Sequence, residues 1–199
     1  MNFFENVAGG YSWIGSETRF TIPQDVEKAY DSLDDAERKL FKKVCAGMPA
    51  VEDFVRKNAA GYGWDERLLS LARNMRAKEL PRPVPYFNPP WACFENSFKH
   101  AQKTGLLYVE GVAANPSGIM IHAWNSTDGT DVLDFTWPHQ HVNQYFGIVF
   151  DVQWMLRHSP IPGGILVYLH QETLERQVDS LIKTIIEKFL AEHVSAPAS

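Results

Sequence analysis

Cys93, His122 and Asp134 are the residues whose types could do chemistry together. A thiolate attacks amide or acyl carbonyls. An imidazole beside it takes the thiol proton and later hands it to a leaving amine. A carboxylate on the far side of that ring fixes its tautomer and favours the imidazolium. Each residue also has a plainer reading: a small buried thiol, a core histidine bonded to a carbonyl, an aspartate ending a strand. The case for a site depends on the elements that would bring the three together.

Cys93 follows Pro89-Pro90-Trp91-Ala92, which predicts that it lies in the first turn of a helix. Backbone N–H groups and the positive end of the helix dipole favour a thiolate there, and the same N–H groups can hold an oxyanion. Asp128-Gly129 is a turn signal between two extended runs. A hairpin centred on Asp128 pairs Asn125 with Asp131 and His122 with Asp134. Opposed residues of an antiparallel pair share a face, so the carboxylate reaches the imidazole, whereas a one-residue slip puts them on opposite faces.

Four short segments resemble the transglutaminase-like superfamily. They are Ile121-His122-Ala123-Trp124, Val132-Leu133-Asp134-Phe135-Thr136, Tyr108-Val109-Glu110-Gly111 and the helix start at Cys93. That group has a histidine in a His-Ala-Trp segment, an aspartate in an Asp-x-Thr segment and a cysteine at the start of an upstream helix. Papain-like proteases share the cysteine-then-histidine logic. Cys93-Phe94-Glu95-Asn96 is also similar to the cysteine segment of arylamine N-acetyltransferases. The resemblance spans about Trp91 to Trp137, and it implies thiol acyl chemistry without choosing among peptidase, amidase, transglutaminase and acyltransferase. The usual Gly-x-Cys lead-in is replaced by Trp91-Ala92. The 29-residue step from Cys93 to His122 leaves little room for loops that recognise large protein substrates.

Around this unit, Trp91 and Trp124 are candidates to wall a cleft, and Asn88 to supply a side-chain donor as glutamine does in papain-like enzymes. The competing reading of Asn88, which is favoured, is an N-cap for a helix begun by Pro89. Glu110 reads as structural, and Cys45 as core beside Phe41 and Val44. His139 and His141 form a His-x-His pair, but no cysteine or carboxylate nearby in sequence completes a zinc site. Asp151, His158 and His170 have no motif around them. No metal and no cofactor is expected.

The positioning elements are predicted as α+β, with an antiparallel sheet packed with helices. Residues 1–80 read as a mainly helical region, with helices near 32–47 and from Trp64 to Leu80. The proline strap 81–85 leads into a transglutaminase-like core over 81–199. Within it a helix beginning near Trp91 or Ala92 and ended by Gly105 precedes extended segments Leu106–Ala113, Ile119–Trp124 and Asp131–Thr136. Tyr145–Phe150 and Ile165–Leu169 are expected as further strands. An amphipathic helix closes the chain, with Leu174, Val178, Leu181, Ile185, Phe189 and Leu190 as its buried stripe.

Composition bounds the rest. The chain has 199 residues, 45% of them hydrophobic, enough for a real core. A net charge of −5 offers no basic surplus for nucleic acid. No run approaches the roughly 20 apolar residues of a membrane helix, and the start Met1-Asn2-Phe3-Phe4-Glu5-Asn6 lacks the pattern of a signal peptide. Two cysteines make no disulfide framework. The expectation is a cytoplasmic cysteine hydrolase or acyltransferase taking a peptide, protein or small amide or acyl substrate. Its rivals are a catalytically silent binding protein of the same fold and a metal enzyme built on His122, His139 and His141.

Overall fold

The computed structural model describes residues 6–7, 10–12, 21–23, 35, 50–77, 92–115, 118–136, 144–161, 163–175 and 181–194. Near the start, strands β1 (Asn6–Val7), β2 (Gly10–Ser12) and β3 (Thr21–Pro23) form a small antiparallel sheet. Three short helices follow: α1 (Val51–Lys57), α2 (Ala59–Tyr62) and α3 (Glu66–Leu71). The expected helix over 32–47, and Cys45 with it, lies outside the described residues except for Asp35, which is helical.

The helix expected from Trp64 to Leu80 stops at Leu71. Asp65 is its N-cap, the carboxylate accepting from Leu68 N at 3.0 Å. Ala72 is extended, and β4 (Arg73–Ala77) follows. Leu68, Leu71, Ala72 and Met75 do fit a helical period. In the fold, however, Met75 goes into a sheet interior and the backbone around it pairs with another strand, and that pairing overrides local propensity. The sheet therefore takes a strand from before residue 80, across the boundary drawn from the sequence.

After residue 92 comes α4 (Cys93–Thr104), buried along Cys93, Ser97, Phe98 and Ala101 and ended by Gly105 at φ 75°. Then come β5 (Leu107–Asn115), β6 (Gly118–Ser126), the two-residue β7 (Asp131–Val132) and β8 (Gln144–Phe150). Helices α5 (Val152–His158), α6 (Ile165–Glu175) and α7 (Leu181–His193) follow. Ile165–Leu169 is thus helix and not strand. A fully apolar run has no decisive period, but Ile165, Leu166 and Leu169 are buried at helical spacing while Tyr168 is 45% exposed. In the closing helix Ile185, Phe189 and Leu190 are buried as expected, but Leu181 is 58% exposed. The side chains of Leu174 and Val178 lie outside the described residues.

The five-stranded sheet has the order β6-β5-β8-β4-β7. It is mixed and not wholly antiparallel, because β7 runs parallel to β4, with Arg76 opposite Asp131 and Ala77 opposite Val132. Just past β7, Leu133 makes two backbone hydrogen bonds with Asn125 of β6, at 3.1 and 2.8 Å. The first and last strands of the order are thereby linked, and the sheet curls on itself.

The curl gives two cores. Strand alternation sends Tyr108, Val112, Phe146, Ile148 and Phe150 outward against the helices, where Phe150 meets Phe189 of α7 with ring centroids 4.6 Å apart. The opposite set, Met75, Val109, Ala113, Trp124, Val132 and Tyr145, fills the inside. Gly111 and Gly147 face each other across β5 and β8. A Cβ on either would stand within 2.8 Å of the Trp124 ring. These mid-strand glycines are the space the indole occupies.

Glu110 is the buried exception on the helix-facing side. Its carboxylate accepts from the Tyr108 hydroxyl (2.9 Å) and from the N–H groups of Gly164, Ile165 and Leu166 (2.7, 3.0 and 2.7 Å). It caps the start of α6 from a distant strand, next to two glycines with positive φ, Gly163 and Gly164. Three orphan N–H groups are satisfied at once. This is a structural role, as its sequence context suggested.

Candidate active site

Each of the three chemistry-bearing residues is delivered by a different element. Cys93 is the first residue of α4. Its N-cap position is Ala92, which makes no side-chain capping bond, so no side chain there competes for the first-turn N–H groups. The helix is tied to β6: Ser97 Oγ donates to Ala123 O at 3.1 Å, and Asn125 Nδ2 donates to Ser97 O at 2.9 Å. His122 lies on β6 opposite Gly111 and, by alternation, shares the inner face with Trp124.

Asp134 follows the bridge, and its register differs from the hairpin count. Asn125 pairs with Leu133, two residues beyond the Asp131 expected from the sequence. The loop takes up the difference. Asp131 accepts from Ser126 Oγ, Thr127 N and Thr127 Oγ1, each at 2.6 Å, while Asp128 accepts from Thr130 N at 2.7 Å. A slip of two keeps the alternation intact. Asp134 then stands diagonal to His122 instead of directly opposite, and its side chain crosses the gap. His122 Nε2 and Asp134 Oδ2 are 2.8 Å apart, with both residues buried.

Asp134 is itself held. Thr136 N donates to Oδ1 at 2.9 Å, a local turn that accounts for the Asp-x-Thr spacing. The Tyr145 hydroxyl, from β8, donates to Oδ2 at 2.9 Å, the same oxygen that faces His122. The ring of Phe135 packs on His100 of α4 with centroids 4.3 Å apart, which fastens this segment to the cysteine helix.

His122 is the electrostatic centre. Burial pushes the imidazole toward its neutral form, but the charges of Asp134 and Cys93, and hydrogen bonds to both, outweigh burial and raise it to about 10. With Nε2 committed to Asp134, Nδ1 is the nitrogen left for the thiol. The ring therefore sits between a carboxylate and a cysteine, touching each. Cys93 is a free cysteine, 7% exposed.

The surrounding candidates divide. Trp124 is fully buried, so it backs His122 from inside the sheet, ring centroids 6.2 Å apart, and does not wall a cleft. Its indole N–H donates to Met75 Sδ at 3.3 Å. Trp91, Asn88, His139 and His141 lie outside the described residues. Because α4 begins at Cys93, Asn88 is not the N-cap of that helix. Among the described residues no group of three His, Cys, Asp or Glu side chains could hold a metal ion. No described helix is long and apolar enough to cross a membrane.

Sequence reasoning missed Tyr145. It belongs to a strand with no motif, and only the sheet order brings its hydroxyl to Asp134. Comparison with protein-family models, with curated proteins and with solved structures finds no match to this chain.

Proposed function

We propose that this protein performs thiol-dependent amide or acyl chemistry, as a cysteine peptidase, amidase or acyltransferase, through Cys93, His122 and Asp134. The observation that carries the reading is a buried imidazole in contact with both a carboxylate and a helix-start cysteine. A core histidine satisfied by one carbonyl would explain neither contact. The resemblance to the transglutaminase-like superfamily supports the same assignment, since its cysteine, histidine and aspartate segments fall on these three positions.

The Cys93 sulfur, its proton held on His122, attacks the substrate carbonyl carbon. The resulting oxyanion is met by N–H groups of the first turn of α4. As the carbon–nitrogen bond breaks, His122 gives its proton to the leaving amine, and a thioester to Cys93 remains. Water or an acceptor amine attacks that thioester and yields its proton to His122. The acyl product leaves, and the cysteine–histidine pair is restored. Asp134 holds Nε2 throughout and so keeps Nδ1 toward the sulfur.

The test is a panel of peptides, isopeptides and activated acyl esters, with the intact mass of the protein followed during turnover. The expected result is an acyl adduct on Cys93 that decays with product release and is absent from Cys93→Ala. Unchanged turnover in Cys93→Ala, or no adduct from any activated ester, would sink the proposal.

A further inference from the structure

We propose that the Tyr145 hydroxyl is a positioning group of this site, tempering the pull of Asp134 on His122 by occupying the same carboxylate oxygen, Oδ2. The inference rests on reading Cys93, His122 and Asp134 as one reacting unit. His122 Nε2 lies 2.8 Å from Oδ2 and the tyrosine oxygen 2.9 Å from it, so two donors share one acceptor while Thr136 N holds the other oxygen.

The chemistry needs such a restraint. A buried carboxylate beside an imidazolium binds its proton tightly, because low local dielectric strengthens every charge interaction. A general acid must also release that proton to the leaving group, and release is best when its proton affinity is matched to the working pH. A hydrogen bond donated to a carboxylate spreads its charge and weakens its hold on a neighbouring cation. Tyr145 supplies that bond from β8, where it is fixed by an edge contact with Trp124, ring centroids 5.0 Å apart. The groups facing His122 are Cys93 from α4, Asp134 after β7 and Tyr145 from β8. Its neighbour across β5 is Gly111, which brings no charge.

Loss of the hydroxyl separates a tempering Tyr145 from an ordinary packing residue. If the hydroxyl tempers Asp134, its removal strengthens the hold on the His122 proton. If the residue merely packs against the site, loss of the hydroxyl alone, with the ring kept, leaves that hold as it was. Titration of nitrogen-labelled His122 by NMR, in the full chain, reads this directly. Tyr145→Phe is expected to move the His122 midpoint upward by about one pH unit, the size of one hydrogen bond to a charged group. Iodoacetamide labelling of Cys93 at neutral pH should not slow, since alkylation needs the sulfur anion and no general acid.

In an Asp134→Asn background the same substitution should move the midpoint no further, because its effect passes through the carboxylate. Tyr145→Met, which also removes the hydroxyl, should reproduce the upward shift if Tyr145→Phe folds poorly. A midpoint that stays put or falls in Tyr145→Phe overturns the proposal. A wild-type midpoint at or below the ordinary histidine value overturns the underlying reading of the triad instead.

Discussion

Asp134, just past β7, and Glu110, within the sheet, are two carboxylates, both fully buried, and they serve different ends. Each accepts from a tyrosine hydroxyl at 2.9 Å, Tyr145 for the first and Tyr108 for the second. The remaining partners of Glu110 include three backbone N–H groups at the start of α6. Backbone N–H groups do not titrate. Asp134 instead faces a titratable imidazole, His122, and beyond that ring lies Cys93. Burying either anion is costly by several kcal/mol unless donors offset it, so donor count does not distinguish them. What does is a titratable partner with a second titratable group behind it. One carboxylate holds a helix, and the other holds an imidazole.

The largest effect that would sharpen this contrast is on reactivity. Asp134→Asn should lower Cys93-dependent acyl turnover by about a hundred- to ten-thousand-fold, as expected when a triad carboxylate is lost. Stopped assays on the folded variant check it, and near-normal turnover would break the distinction. Next, Glu110→Ala leaves three N–H groups and a tyrosine hydroxyl without their acceptor in a buried place. Urea denaturation should show a loss of about 3–5 kcal/mol, with Cys93 labelling retained in the molecules that remain folded.

A third expectation concerns pH. His122 has its folded value raised to about 10 from 6.5. Its stabilising contribution is therefore present in full below pH 6.5 and is lost as pH rises through about 10. Glu110 is also raised, chiefly by burial. Its contribution is greatest below the ordinary carboxyl value of 4.5 and declines as pH rises through its folded value. Urea midpoints measured across this range should fall toward alkaline pH in the wild type. In Asp134→Asn the alkaline part of that fall should flatten. The smallest expected effect is from Tyr108→Phe, which should cost about 1.5–3 kcal/mol of stability, the size of one hydrogen bond to a charged group. It should leave the midpoint of His122 in place.

Much of the site was legible because its signals are local. The helix start at Cys93 was marked by Pro89-Pro90 and the helix end by Gly105. The common face of His122 and Asp134 survived an error of two in the register, since side-chain direction repeats every two residues. The register itself was not legible, because Asp131 folds back on Ser126 and Thr127 through side-chain bonds that no periodicity announces. The strand at 73–77 and the helix at 165–175 were misread for a related reason. Arg73–Ala77 is extended by pairing with β8, and the start of α6 is capped by Glu110, more than fifty residues away. Tyr145 was invisible, since a strand tyrosine becomes informative only once the sheet order is known. Gly111 and Gly147, two glycines inside apolar strands, mark where Trp124 lies.

The measurement that tests the central claim most directly is the protonation of His122 itself, followed by nitrogen NMR from acid to alkaline pH. The account predicts an imidazolium with both ring nitrogens protonated through neutral pH, losing its proton near 10. It predicts a lower midpoint when either Asp134→Asn or Cys93→Ala removes one of the two groups that hold that proton. A neutral ring at pH 7, titrating at or below the ordinary 6.5 as burial alone would dictate, and indifferent to both substitutions, would contradict it.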